Sequence, residues 1–221
     1  MIFTPYGEPE TSSENLIETE FFETNSPVVS SFVKDAIADE TDPQKLAIRL
    51  FYAVRDKIRY NVYDISVDPD HYRASYVINK KTGYCVQKAC LLVTCARSVG
   101  IPAVIGTSDV VNHFRTPKME RLMEGREIFM HHAYAALFLN DKWVKIVPAF
   151  NKDLCDLMGV APTEFDGQNH ALLQEYDAAG NVSMVYKKDH GFWSDLPFDR
   201  IAADFRDYYP HPFIGLDEIA S

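Results

Sequence analysis

Residues 82–103 read TGYCVQKACLLVTCARSVGIPA, with a glycine, an aromatic residue and a cysteine standing directly before an apolar run. From Cys85 onward, Ala89, Leu92, Val93 and Ala96 recur at helical spacing, and Gly100 followed by Pro102 supplies a stop. The stretch therefore predicts a helix whose first turn carries Cys85. The first N–H groups of a helix have no partner inside it and carry partial positive charge. A thiolate is stabilised there, and the same amides suit the oxyanion of a tetrahedral intermediate. Position alone makes Cys85 a candidate nucleophile. The plainer alternative is a small, inert, buried thiol, which is the reading for Cys90, Cys95 and Cys155.

Cys85, Cys90 and Cys95 follow one another at intervals of five on that helix. Five helical residues separate Cα atoms by about 8 Å, too far for an undistorted disulfide. The spacing matches no zinc site, there is no C-x-x-C for thiol redox chemistry, and no calcium loop of the D-x-D-x-D-G type is present, so no metal and no cofactor is expected.

Upstream, Asp42-Pro43 is an N-cap followed by an N1 proline, and the apolar positions from Ala47 to Ile58 predict a helix over about 43–59. Residues 1–28, rich in Glu, Thr, Ser and Pro, read as an arm outside the core. Downstream, Thr116-Pro117 and Gly125 bracket a short helix inside 110–126, a segment that reads as a mobile cover over the site with Met119, Leu122 and Met123 exposed, or as a plain surface excursion. EIFMHHAYAALFLN (127–140) and KWVKIV (142–147) form a hairpin about Asn140-Asp141. A second hairpin turns at 177–180, and 197–208 closes as a helix. No repeat or linker interrupts the chain, so 1–221 is expected to be one domain.

The chain has 221 residues, 47% hydrophobic and 13% aromatic, enough for a real core. Its formal net charge of −10 repels phosphate backbones and anionic headgroups, so neither nucleic acid nor membrane is an expected partner. With no basic, apolar leader and no apolar run of spanning length, the expectation is cytoplasmic.

A nucleophilic thiol needs a base. His131 and His132 are neighbours on a strand and point to opposite faces, so only one can serve Cys85. Counting outward from Asn140-Asp141 aligns Leu139 with Lys142, Tyr134 with Val147 and His132 with Ala149. His132 then shares a face with Tyr134, Val147 and, were pairing to continue, Asn151.

Three ordered segments resemble the transglutaminase-like superfamily of papain-related cysteine enzymes. AIRLFYAVRDKIRY (47–60) is similar to its leading helix, 73–103 to its nucleophile segment with G-x-C and R-x-x-G-I-P-A, and HAYAALFLNDKWVKIVPAFN (132–151) to its histidine hairpin. The resemblance covers about 43–151 and implies an α+β fold with a papain-like or transglutaminase-like core. In it N-terminal helices, the nucleophile helix among them, pack on an antiparallel sheet, and 152–221 completes the domain as a hairpin and helix. It further implies Cys85 as nucleophile and His132 as general base. The family's orienting aspartate falls four positions after the tryptophan, and here that position is Val147. Asn151, the other diagonal neighbour of His132 in the projected hairpin, is the expected substitute, with Asp166 a more distant one. A turn residue capping the strand end is the competing reading of Asn151.

The implied activity is a cysteine-dependent amide hydrolase or acyltransferase acting on a peptide or small amide, with hydrolysis favoured over crosslinking. The alternative is a catalytically inactive binding or assembly module on the same fold, for which the missing aspartate speaks.

Overall fold

The helix that begins at Cys85 is the axis of the structure. In the computed structural model, which describes residues 8–113, 115–173 and 184–209, the chain runs through α1 (Pro27–Ile37), α2 (Pro43–Lys57), β1 (Arg59–Tyr60), α3 (Ala74–Lys80), β2 (Thr82–Gly83), α4 (Cys85–Ser98), β3 (Ala103–Asn112), α5 (Pro117–Met123), β4 (Ile128–Leu139), β5 (Lys142–Ile146), α6 (Lys152–Met158), β6 (Met184–Trp193) and α7 (Phe198–Tyr208). This is the expected α+β class: helices first, with α4 laid on an antiparallel sheet of order β5-β4-β3-β6. No helix among the described residues is long and apolar enough to cross a membrane.

The apolar face predicted for α4 is too narrow, because α1, α2 and α3 pack against it as well as β3 and β4. Every residue from Cys85 to Arg97 is buried. Buried polar groups must be matched, and they are. Gln87 accepts from the Tyr84 N–H (3.0 Å) and donates to the His71 carbonyl (2.9 Å). Lys88 donates to the carbonyls of Arg55 and Ile58 at the C-terminal end of α2, burial pulling its ammonium down to about 7. Arg97 donates to the carbonyls of Ala103, Ile17 and Ser194, tying the start of β3 to two remote segments. α2 starts as expected, with the Asp42 carboxylate accepting from the Lys45 N–H at 3.0 Å.

β3, which the sequence reading left unassigned, lies inside the sheet between β4 and β6, and all ten of its residues are buried. Gly106 sits where the Tyr134 ring crosses the strand; a Cβ there would stand 2.4 Å from the ring. The hairpin turns at Asn140 and Asp141, both at positive φ, in the predicted register, with Leu139 opposite Lys142. The ladder ends at Ala135 opposite Ile146, however. Val147 then donates to the Ala171 carbonyl and Pro148 leads the chain away, so the pairing projected onto Ala149 and Asn151 does not form. A bulge falls in β4, where Asp109 of β3 opposes the two residues Met130 and His131, and His131 takes φ +54°.

Other expectations need correction. The arm contributes Phe21 and Phe22 to the core, and the Arg97 guanidinium lies over Phe22. Met119 and Met123 of α5 are buried rather than exposed. The turn expected at 177–180 lies outside the described residues, and the strand after it, β6, pairs with β3.

Candidate active site

Cys85 is the first residue of α4, and what precedes it is fixed from two sides. β1 and β2 pair in parallel, Arg59 with Thr82 and Tyr60 with Gly83, and the Asn61 N–H donates to the Gly83 carbonyl at 3.0 Å. The stretch 60–63 is thereby held alongside the start of α4. Tyr84, the N-cap, joins its hydroxyl to that of Tyr72 at 2.8 Å. A cavity of about 200 Å³ opens at this point, with Cys85, Tyr84, Tyr60, Tyr63 and His132 among its walls.

Cys85 is 7% exposed. Burial pushes the thiol up to about 11, against the N–H groups of Ala133, Val86 and Cys85 itself, which favour the thiolate. The expected depression at a helix N-terminus is thus outweighed by desolvation. The Ala133 amide that reaches the sulfur belongs to the residue directly after His132, so the start of α4 and strand β4 meet here.

His132 is 4% exposed, and burial pulls its imidazole down to about 4. Its Nε2 is buried without a hydrogen-bond partner, and the Tyr186 ring stands edge-on at 6.4 Å. His131 differs in kind. Its Nδ1 bonds with Thr107 Oγ1 (3.0 Å), its Nε2 with Asp204 Oδ2 (2.6 Å), and its ring stacks on His190 at 4.3 Å. Both His131 nitrogens are therefore engaged away from Cys85.

Asn151 is the N-cap of α6, and its Oδ1 accepts from the Tyr60 N–H at 3.0 Å. Its side chain makes no hydrogen bond to His132 among the described residues, but it holds the backbone of a residue that lines the cavity. Asp166 is spent in its own turn: the N–H groups of Asn169 and Gln168 hold its carboxylate down at about 2. Val147 is fully buried. Cys90, Cys95 and Cys155 are buried free thiols, and no group of three metal-ligating side chains occurs among the described residues.

Two features escaped the sequence reading. The first is Asp189, which lies in the same cross-strand row as His132: His132 faces Ser108, and Ser108 faces Asp189. Its Oδ1 accepts from Tyr134 Oη (3.2 Å) and the Gly191 N–H (3.2 Å), and its Oδ2 is buried without a partner. The second is the set of cavity residues from elements outside the motifs, including Met119 of α5, Met158 of α6, Met184 of β6 and Phe205 of α7. Their spacing carries no signal, because the fold alone brings them together. Among the aromatic residues near the site, Tyr84 and Phe129 line the cavity, whereas Tyr134 does not.

Residues 30–148 match the family model of the transglutaminase-like superfamily. No curated protein sequence matches the chain. Among solved structures, the chain is similar to one described as "a Putative Cysteine Protease from Cytophaga hutchinsonii", at 13% identity and a TM-score of 0.46, covering 81% of this chain and 53% of that one. The chain thus spans about half the length of that protein.

Proposed function

The chain belongs to the transglutaminase-like superfamily, and from this premise we propose that it is a cysteine-dependent amide hydrolase or acyltransferase, hydrolysis being its main reaction. One observation carries the reading. Cys85 stands at the first turn of α4 with its sulfur against the Ala133 N–H, beside a histidine that lines the same cavity and has an unengaged ring nitrogen.

In this reading the resting pair is a neutral thiol and a neutral imidazole. As the carbonyl carbon of an amide arrives, His132 takes the Cys85 proton and the S–C bond forms. The oxyanion is met by N–H groups at the start of α4, which have no partner within the helix. The C–N bond then breaks, and the departing amine takes the proton from His132. Water attacks the thioester, again giving a proton to His132, and the acid leaves as the thiol is restored. An amine in place of the water would complete acyl transfer. Asn151 enters as a positioning residue that acts through Tyr60. The substrate is a peptide or small amide, and four unpaired thiols suit a cytoplasmic setting.

Intact-mass measurement on a panel of peptide amides and activated esters tests this. The expected result is an acyl adduct mapped to Cys85, absent from Cys85→Ala and strongly reduced in His132→Ala. A second reading, an inactive module that keeps the cavity for binding, is favoured by Val147 in the aspartate position and by the lack of any partner for His132 Nε2. It predicts ligand binding with no adduct on any substrate.

A further inference from the structure

The walls of the cavity identify what they are built to receive. No Asp, Glu, Lys or Arg lines it among the described residues, and its one ordinarily ionisable base, His132, is held neutral by burial. The polar side chains on the wall are largely turned to one another. Asn61 accepts from the Tyr63 N–H and donates to Asp64, and Thr116 bonds with the Tyr63 hydroxyl at 3.0 Å while accepting from the Met119 N–H. Asp64 does not line the cavity; its Oδ1 pairs with Lys80 at 3.0 Å and its Oδ2 is buried without a hydrogen-bond partner. A carboxylate or ammonium entering here would lose its hydration and find no counter-charge.

The remaining surface is aromatic, aliphatic and thioether. Four of the six methionines in the chain, Met119, Met130, Met158 and Met184, line the cavity, and their unbranched side chains adapt to apolar guests of different shape. The volume of about 200 Å³ is of the order that takes one aromatic ring, since an apolar cavity of about 150 Å³ holds benzene. The geometry points to an uncharged apolar acyl group as the part of the substrate delivered to Cys85: an amide or ester whose carbonyl side carries an aromatic or branched aliphatic group. This assignment rests on the reading of Cys85 as nucleophile. Each methylene buried in such a site multiplies affinity by about four, whereas a terminal charge removes that gain.

Three primary amides that share a chain length separate the possibilities: 3-phenylpropanamide, succinamate and β-alaninamide, titrated by NMR into Cys85→Ala so that no chemistry intervenes. The apolar amide should bind at least tenfold more tightly than either charged one. Met158→Glu, at the half-buried rim of the cavity, should weaken 3-phenylpropanamide and raise the affinity for β-alaninamide at least fivefold. Equal or tighter binding of a charged amide overturns the assignment, as does the absence of any shift from 3-phenylpropanamide up to its solubility limit. The p-nitrophenyl esters of the same acyl groups, followed by intact mass on the wild type, keep the two readings apart. Apolar preference in binding with no acyl-Cys85 from any ester leaves the ligand class standing and removes the catalytic reading. Acyl-Cys85 formed at equal rates from all three does the reverse.

Discussion

Cys85 and His132 face one cavity as neutral groups, the thiol held up at about 11 and the imidazole down at about 4 by burial. In the proposed reaction their proton moves only when a carbonyl is in place. Cys85→Ala should abolish acyl-adduct formation, while Cys90→Ala, one turn deeper and fully buried, should retain it; equal loss in both would remove Cys85 from its role. The depressed imidazole also has a stability consequence. Between pH 6.5 and about 4 the unfolded chain binds a proton at His132 that the folded chain does not, so its contribution is lost as pH falls through that window. The difference in unfolding free energy between wild type and His132→Gln should be flat above pH 6.5 and shift by about 3 kcal/mol against the wild type by pH 4. A flat difference curve down to pH 4 would show that the imidazole is not buried as described. Both residues were legible in the sequence as G-x-C and H-A-Y. Their protonation was not, because it is set by everything that packs around them. Asn151 was reached by extending a ladder past Ile146, and the switch of Val147 to Ala171 ends that ladder first.

Among the elements, β3 was the one the sequence concealed. Its residues are buried on both faces, so it shows no alternation, and Gly106, Ser108 and Asp109 punctuate it as a loop would be punctuated. α2, α4 and the β4–β5 hairpin were readable because each carries its own local stops and caps. Gly106 is the point where β3 and β4 depend on each other. Gly106→Ala would place a methyl group 2.4 Å from the Tyr134 ring, and β3, paired with β4 on one side and β6 on the other, has little room to give way. Calorimetry should find it about 2 kcal/mol or more less stable, with part of the loss recovered in Gly106→Ala/Tyr134→Leu. At the start of α2, Asp42→Ala should cost about 1 kcal/mol through loss of the bond to the Lys45 N–H; an unchanged midpoint would mean that the cap is made by water instead.

Across the whole molecule, composition set the broad limits, a globular acidic chain with enough apolar residues for a core, while the long-range joints were invisible to it. Arg97 is the clearest joint, binding the carbonyls of Ile17, Ala103 and Ser194 from three parts of the chain. Burial pulls its guanidinium down to about 10 against the pull of Asp195. Arg97→Met would fill the space but orphan three carbonyls, and about 3 kcal/mol of stability should be lost, read from the denaturant midpoint. A midpoint within experimental error of wild type would show that the three segments hold together without it.

The position of β6 has a bearing on how the protein is made. β3 gains one of its two neighbours only when Met184–Trp193 has been synthesised, after every other strand of the sheet. A nascent chain halted before that point carries a ten-residue strand with one side open, a template for pairing with other halted chains. Premature termination should therefore yield insoluble polypeptide cleared by cellular proteases, not a shortened but working protein, and solubility of a 1–183 fragment on expression would refute this.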